Sequence, residues 1–583
     1  MRPQNTISKF LLFISFQFVY LSLYSQSFDF EGILQNSKTN KTIEFATIYN
    51  LQSGQGTVSN ERGFFKLENV NKNDSIRISF IGFETKFIQA KKSEKPVVIK
   101  LSNAATLLSE VVVLANEHVL YQLIYNTRKH INNKERIAKT YLELETRIKG
   151  EQVELVEAYY NAKFVAQEVD EIFLKNGRLG LAPDGNRFFI SKETSKAILL
   201  HQSFNDNSQF PVSPLELSLR KCKKRYGLHL VSKFRDDADQ LVMQIAFEAR
   251  ERNGLSFDGN VWIDSLSNRL IKVEMKIEDA KRSPFFPLFQ RDRLDRIDFE
   301  ITKTYQEVDR VNTIQSIHFN YEIDYNEGRT RNYLVSSKAL LYAYNYKETF
   351  ALPTFDFSPD YFDDYRKISA VPTNDFFWRN INEFQLKDRK AKNDAFIKSQ
   401  GTLTRNLVFE DDRAFREGFF EQAFLVWDEK RLIFKEKEID PKKLTATTAP
   451  SNRYNLKAHF YLDVNDLNDT LHVLSTIVID PFESFFDFPM NNQYKTFINL
   501  YFDIFEMHRR EFENALSKKV FTKEEIFTLH QLYNEKIISD CKKYRREVQR
   551  GINVDGMKEW NQKIRKAIGI DNMQLFGMED IIK

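Results

Sequence analysis

Cysteine is nearly absent: Cys222 and Cys541 are the only two in 583 residues. So few thiols allow no disulfide framework and no Cys-based metal cluster, and stability must come from apolar cores. Net charge is scarce as well. The 85 Lys and Arg are offset by 81 Asp and Glu, which leaves +4 and argues against nucleic acid as a partner, because a polyanion needs a basic footprint. Beyond the N-terminus no apolar run is long enough to span a bilayer, so no transmembrane segment is expected in the mature chain. The nine histidines are scattered, and no HxH, HExxH or Cys/His pair has ligand spacing. No GxSxG elbow or glycine-rich phosphate loop occurs either, and no cofactor is expected.

What is present is length and aromatic bulk. A chain of 583 residues exceeds a single core, since cores stop growing near ~250 to 300 residues, so several domains are expected. An apolar fraction of 42%, with 52 Phe and 24 Tyr, supplies side chains that bury large areas and makes disorder a poor reading. The N-terminus places Arg2 and Lys9 before an apolar run from Phe10 to Tyr24, followed by Ser25. That is the pattern of a secretory signal peptide over residues 1–25, cut near Ser25 or Gln26. Ser15, Gln17 and Ser22 interrupt the run, which argues against a membrane anchor. No cysteine stands near the cut to take a lipid. Export to the periplasm, to the outer membrane or to the medium is the expectation.

Residues 28–115 alternate apolar and polar side chains in short runs such as Ile76-Arg77-Ile78-Ser79-Phe80, with Gly54, Gly56, Gly63 and Gly82 between runs. These are strands of a small sandwich. The stretches GTVSNERGFFKLENV (56 to 70), DSIRISFIGFET (74 to 85) and LSEVVVLA (108 to 115) resemble the carboxypeptidase-like regulatory domain, which implies a transthyretin-like seven-stranded β-sandwich. That domain precedes many TonB-dependent outer-membrane receptors. Here residues 116–137 instead place Val119, Leu123, Ile124 and Ile131 at helical spacing, a connecting helix, and too few residues follow for a receptor barrel. An accessory component of such a receptor system is one alternative role.

Over residues 138–352 strict alternation, as in Ile271-Lys272-Val273-Glu274-Met275-Lys276-Ile277 and Ile317-His318-Phe319-Asn320-Tyr321-Glu322-Ile323, predicts antiparallel strands with one buried and one wet face. The turn at Asp264 to Asn268 makes a hairpin, and a broad curved sheet is expected, similar in its strand pattern to the half-barrels that carry lipoproteins. Residues 353–404, with Pro353, Pro359 and Pro372, read as an irregular connector. The basic run 220–227 reads as a wet sheet edge, Asp236-Asp237, Asp363-Asp364 and Asp411-Asp412 as solvated loops, and the aromatic clusters at 283–289 and 483–488 mainly as core.

Residues 405–583 run strands first, then helices: a C-terminal α+β module, making the chain mainly β and multidomain. VWDEKRLIFKEKEI, LTATTAPSNRYNLKAHFYL and ESFF resemble the strand region of a bacterial family of secreted zinc proteases, and residues 544–564 resemble its closing segment. In that family the next helix carries HEQxHFDIxE. Here the aligned residues are Phe497-Ile498-Asn499-Leu500-Tyr501-Phe502-Asp503-Ile504-Phe505-Glu506, so the resemblance puts Phe497 and Tyr501 at the ligand positions and Ile498 at the base position. Phe and Ile offer no lone pair, and a lone phenol is a rare ligand. No catalytic or metal site is expected from this helix. At 100° per residue His508 shares a face with Phe497, Tyr501 and Ile504, whereas Asp503, Glu506, Arg510 and Glu513 lie opposite. His508 is read as a core-boundary histidine with a partner, and the opposite face as solvated ion pairs. Were there an unrecognised hydrolase, His508, Glu506 and Asp503 would be its candidates. The expectation is instead a non-catalytic binding or scaffolding protein of the cell envelope, with a protein or a glycan as partner.

Overall fold

The computed structural model describes residues 27–578 except 61, 105–116, 185–186, 189–193, 206–208, 236–239, 288–290, 329–330, 356–366, 369, 382–383, 385–389, 401–424, 432–453, 468–469, 481–483 and 487–490. The expected signal peptide, the LSEVVVLA stretch and the three Asp-Asp pairs lie outside the described residues.

Seven strands form the N-terminal sandwich: β1 (Phe28–Asn36), β2 (Thr47–Asn50), β3 (Gly56–Val58), β4 (Phe64–Val70), β5 (Ser75–Ser79), β6 (Lys86–Gln89) and β7 (Val97–Leu101). One sheet has the order β4-β1-β7 and the other β3-β2-β5-β6. The alternation seen in the sequence becomes two faces: Ile76 and Ile78 are buried with Leu34, Ile48 and Phe65, while Arg77 between them is exposed. Gly63 is needed where it stands, with φ +70° and with only 2.4 Å between an added Cβ and the Leu34 carbonyl oxygen.

Helix α1 (Glu117–Lys129) leads into the central domain. Strands β8 (Arg136–Ile148), β9 (Glu151–Val165) and β10 (Glu168–Leu181) are followed, after an excursion, by β11 (Tyr226–Arg235), β12 (Leu241–Ala249), β13 (Asp258–Asp264), β14 (Arg269–Ile277), β15 (Arg293–Val308), β16 (Val311–Asn326) and β17 (Asn332–Asn345). They make one ten-stranded sheet, β10-β9-β8-β17-β16-β15-β14-β13-β12-β11, with every neighbour antiparallel and both edges open. It is no closed barrel, yet it curls: Glu168 at the start of β10 pairs with Lys303 on β15, five places along the order. The inner face packs Phe299, Phe319 and Tyr321 against Phe204, Phe210 and Leu215 of the excursion and against Leu120 and Ile124 of α1. Burying side chains of this size stabilises by about 1.5–3 kcal/mol each, as an upper bound. The interior is therefore filled by the chain's own residues.

The basic run 220–227 departs from expectation. Leu219–Arg225 is a short helix with Cys222 on its buried side, and only Tyr226 and Gly227 enter the edge strand β11. Segment 353–404 departs too, since α2 (Asp375–Asn380) and α3 (Lys390–Gln400) form within it. Asn374 caps α2 by accepting from the Phe377 amide, and Phe377 and Trp378 bury their rings against Tyr159 at 5.3 and 5.4 Å. Local capping and aromatic burial outweigh the prolines around it. The aromatic clusters are divided: Phe285 packs on Tyr321 at 4.5 Å and Phe486 joins the C-terminal core, whereas Phe286 is exposed.

The C-terminal module has strands β18 (Ala458–Leu467) and β19 (Thr470–Ile479), with the short strand Leu425–Val426 beside β19, followed by α4 (Asn492–Leu516), α5 (Lys523–Val548) and α6 (Val554–Ile568). Asn491, the Thr522/Glu525 capping box and Asn553 start the three helices. The module is tied to the large sheet by a buried ion pair between Lys175 on β10 and Asp463 on β18. Lys175 also donates to the carbonyls of Ala351 at 2.7 Å and Val464 at 3.0 Å, and Asn374 donates to Asp463 at 2.8 Å. Burial pushes the Lys175 ammonium below its ordinary value, and Asp463 opposes that shift.

Candidate functional site

Helix α4 sits at the centre of the C-terminal core, covered by β18 and β19 on one side and by α5 and α6 on others. Phe497 and Ile498 are fully buried. Phe497 stacks on Tyr544 at 5.5 Å, and the Tyr544 hydroxyl donates to the Phe497 carbonyl at 2.8 Å. Tyr501 accepts from Arg545 at 2.7 Å and donates to the Leu456 carbonyl at 3.3 Å, and burial holds its phenol above the ordinary range. Hydrocarbon and a phenol already engaged on both sides do not fit a zinc ion. Among the described residues no group of three or more His, Cys, Asp or Glu side chains is placed to hold a metal.

The polar groups of α4 are not the solvated face expected from helical spacing. Asp503 is 0% and Glu506 2% exposed. Asp503 accepts from Trp427 Nε1 at 2.7 Å, from Arg431 Nη1 at 2.8 Å and from Asn572 Nδ2 at 2.6 Å. Burial raises its carboxyl, and Arg431 with these donors acts against the rise. Glu506 takes a bidentate pair from Arg509 at 2.6 and 2.7 Å and a further bond from Arg510 at 2.8 Å. The reason for the difference is that Trp427 and Arg431, from the segment after the short strand, and Asn572, from beyond α6, close over the side of α4 that an isolated helix would show to water. His508 lies between two carboxylates, with Nδ1 3.1 Å from Glu511 and Nε2 3.1 Å from Asp540. The structure does not bring Asp503, Glu506 and His508 to one site, since each is tied to a different set of partners. Cys222 and Cys541 are buried and unpaired, their thiols pushed up to about 12 by burial.

A different place leaves polar groups free. On its outer face the large sheet is covered in two ways: the connector aromatics lie over β8, β9 and β17, and the sandwich leans over β14 to β16. Between the sandwich and the sheet is a cleft of about 510 Å³. Its floor is built by strand register. Glu274, Thr302 and His318 stand side by side on β14, β15 and β16, and the next row is Lys276, Glu300, Asn320 and Lys338. Neighbouring strands are about 4.8 Å apart, so each row is an evenly spaced line of side chains. Phe45 of the sandwich lies over His318 at 3.9 Å between ring centroids, held there by a backbone φ of +59°, a conformation that costs a bulky residue strain. Burial and nearby Lys272 push the His318 ring down to about 3, so at neutral pH the ring is uncharged. Lys272 pairs with Glu274 at 2.5 Å and lies over Phe80 at 5.4 Å. The one legible signal for this floor was the alternation in β14 and β16, which put Lys272, Glu274, His318 and Asn320 on wet faces. Which stretch of that face would be roofed was not readable.

Residues 30–113 match the CarboxypepD_reg-like domain, the family to which the N-terminal motifs pointed. None of the curated proteins matches the chain. Solved structures similar to it include an outer-membrane lipoprotein-sorting protein domain from Vibrio parahaemolyticus, 14% identical, covering 42% of this chain and 97% of that one at a TM-score of 0.17. A LolA superfamily protein from Nitrosomonas europaea is 13% identical over 42% of this chain and 98% of that one, at 0.16. MucB in its complex with MucA from Pseudomonas aeruginosa is 8% identical over 38% and 93%, at 0.14. At such scores the likeness carries no functional inference. Among the described residues no helix is long and apolar enough to cross a membrane.

Proposed function

We propose that this chain is an exported protein of a bacterial envelope that acts by binding or scaffolding, without catalysis, and that its C-terminal module is a zinc-protease-like framework stripped of its metal chemistry. The observation that carries the reading is the interior of that module. Phe497 and Ile498 are sealed in hydrocarbon, the Tyr501 phenol is held by Arg545, and the ionisable groups Asp503, Glu506 and His508 are all bonded to partners inside the module. A nucleophile, base or Lewis acid needs an open coordination or proton-transfer position facing substrate, and these groups have none. The matched regulatory-type sandwich supports a role in the envelope only as far as that domain is found ahead of other modules in exported chains. Periplasmic, outer-membrane-associated and secreted locations are all compatible with the proposal.

Elemental analysis of the purified mature chain tests it, together with a panel of peptide and ester substrates. The expected result is no tightly held zinc and no turnover. One firmly bound equivalent of metal, or turnover abolished by Glu506→Ala or His508→Ala in a variant that still folds, overturns it.

A further inference from the structure

The cleft under the sandwich is lined in part by polar side chains that the fold leaves unbonded. Thr302, Asn320, Lys276 and Glu300 line it, and among the described residues their side chains have no hydrogen-bond or ion-pair partner. His318 is 7% exposed and also lines the cleft, and its ring makes contact with Phe45 but no hydrogen bond. A neutral imidazole left without an internal partner can bond a polar group that enters the cleft. We infer that this cleft binds a neutral oligosaccharide, with Thr302, His318, Asn320 and Glu300 bonding its hydroxyl groups and Phe45 and Phe80 covering its C–H faces.

Three features select this class. The first is charge: three lysines and four glutamates line the cleft, a near balance that gives neither an anion nor a cation a net attraction. The second is the mixture of donors and acceptors. A hydroxyl both donates and accepts, as a sugar needs at nearly every position, and the rows present amide, hydroxyl, carboxylate, ammonium and neutral imidazole next to one another. The third is that the floor offers no backbone edge. The strands flooring the cleft, β14 to β17, are all internal to the sheet, so an extended peptide could not add itself to that floor as a strand, which is how such peptides gain most of their affinity. A volume of about 510 Å³ is within the range of small-ligand sites. Each row runs across the strands, so successive polar groups are spaced on the scale of one sugar ring.

The inference rests on the reading of the chain as a binding protein, and its test separates the two. Cellotetraose, maltotetraose and chitotetraose are titrated calorimetrically into the full mature chain, beside a decapeptide of alternating Lys and Glu. The expected result is saturable binding of at least one sugar. Thr302→Ala and Asn320→Ala should each weaken it by about tenfold, the loss of one well-made hydrogen bond, with the unfolding midpoint unchanged. Failure of all three sugars to bind at millimolar concentration overturns the inference, as does binding that the Thr302→Ala/Asn320→Ala double variant leaves intact, or binding of the peptide alone. None of those outcomes touches the proposed lack of catalysis, whereas release of new reducing ends from a bound sugar would overturn that proposal and leave the site standing.

Discussion

Two regions of this molecule carry dense groups of ionisable side chains, and they treat them in opposite ways. On α4 the groups Asp503, Glu506 and His508 are buried and bonded: Asp503 to Arg431, Trp427 and Asn572, Glu506 to two arginines, His508 to two carboxylates. On the outer face of β14 to β16 several groups of the same kinds stand in a cleft with no internal partner. Charges that answer one another hold a core in register; charges left unanswered beside a cavity are available to something else. Helix α4 is thus the less chemical of the two regions, and the sheet face is the more available.

The contrast can be broken at either end. The largest effect is expected from Asp503→Ala, which strands Arg431 in a nearly buried position; removing one member of a buried pair costs roughly 3 to 5 kcal/mol, read as a lower urea midpoint for the C-terminal module. A smaller effect comes from acid. The unfolded chain binds a proton on His318 near the ordinary 6.5, but the folded chain resists until about 3. The unfolded state therefore holds more protons across that window, so the contribution is intact above pH 6.5 and is lost as pH falls toward 3, the loss reaching roughly 3 kcal/mol at pH 4. His318→Gln should flatten that part of the pH profile, and an unchanged slope would remove His318 from the account. Gly551→Ala comes next: φ is +90° and a Cβ would lie 3.2 Å from the Phe497 Cβ, for a loss of about 1 to 2 kcal/mol by the same urea measurement. Thr302→Ala and Asn320→Ala are expected to stay within about 0.5 kcal/mol of the parent. A large loss there would mean that the cleft is structural after all.

Much of the architecture was legible. Strict alternation marked the wet faces of β14 and β16, and Ile76 and Ile78 marked the buried face of β5, because a two-residue period survives whatever the strand pairs with. The C-terminal order of strands then helices was readable for the same reason. Helical spacing, however, reports which side chains share a face and not how many faces are covered. Asp503 and Glu506 looked solvated because nothing local announces that Trp427, Arg431 and Asn572 return to meet them from distant parts of the chain. His318 was unreadable as a site residue for a related reason. Its surroundings depend on Phe45, which is remote in sequence, and on a backbone twist at Phe45 that side-chain identity alone does not suggest. Within the connector, the prolines were weighed more heavily than Asn374 and the Phe377-Trp378 pair that follows it.

The closing seam of the large sheet sets an order of events. Strand β17 pairs with β8, as in Val335 opposite Ile148, although the other eight strands of the sheet, β9 to β16, lie between them along the chain. As the chain emerges, the β8–β9–β10 meander must wait with one raw flank until residue 345 is delivered, and non-local closure of this kind is slow. A chain cut short anywhere in between is therefore left with a sticky border in place of a smaller sheet, which makes late truncations far more dangerous to solubility than the loss of the entire C-terminal module.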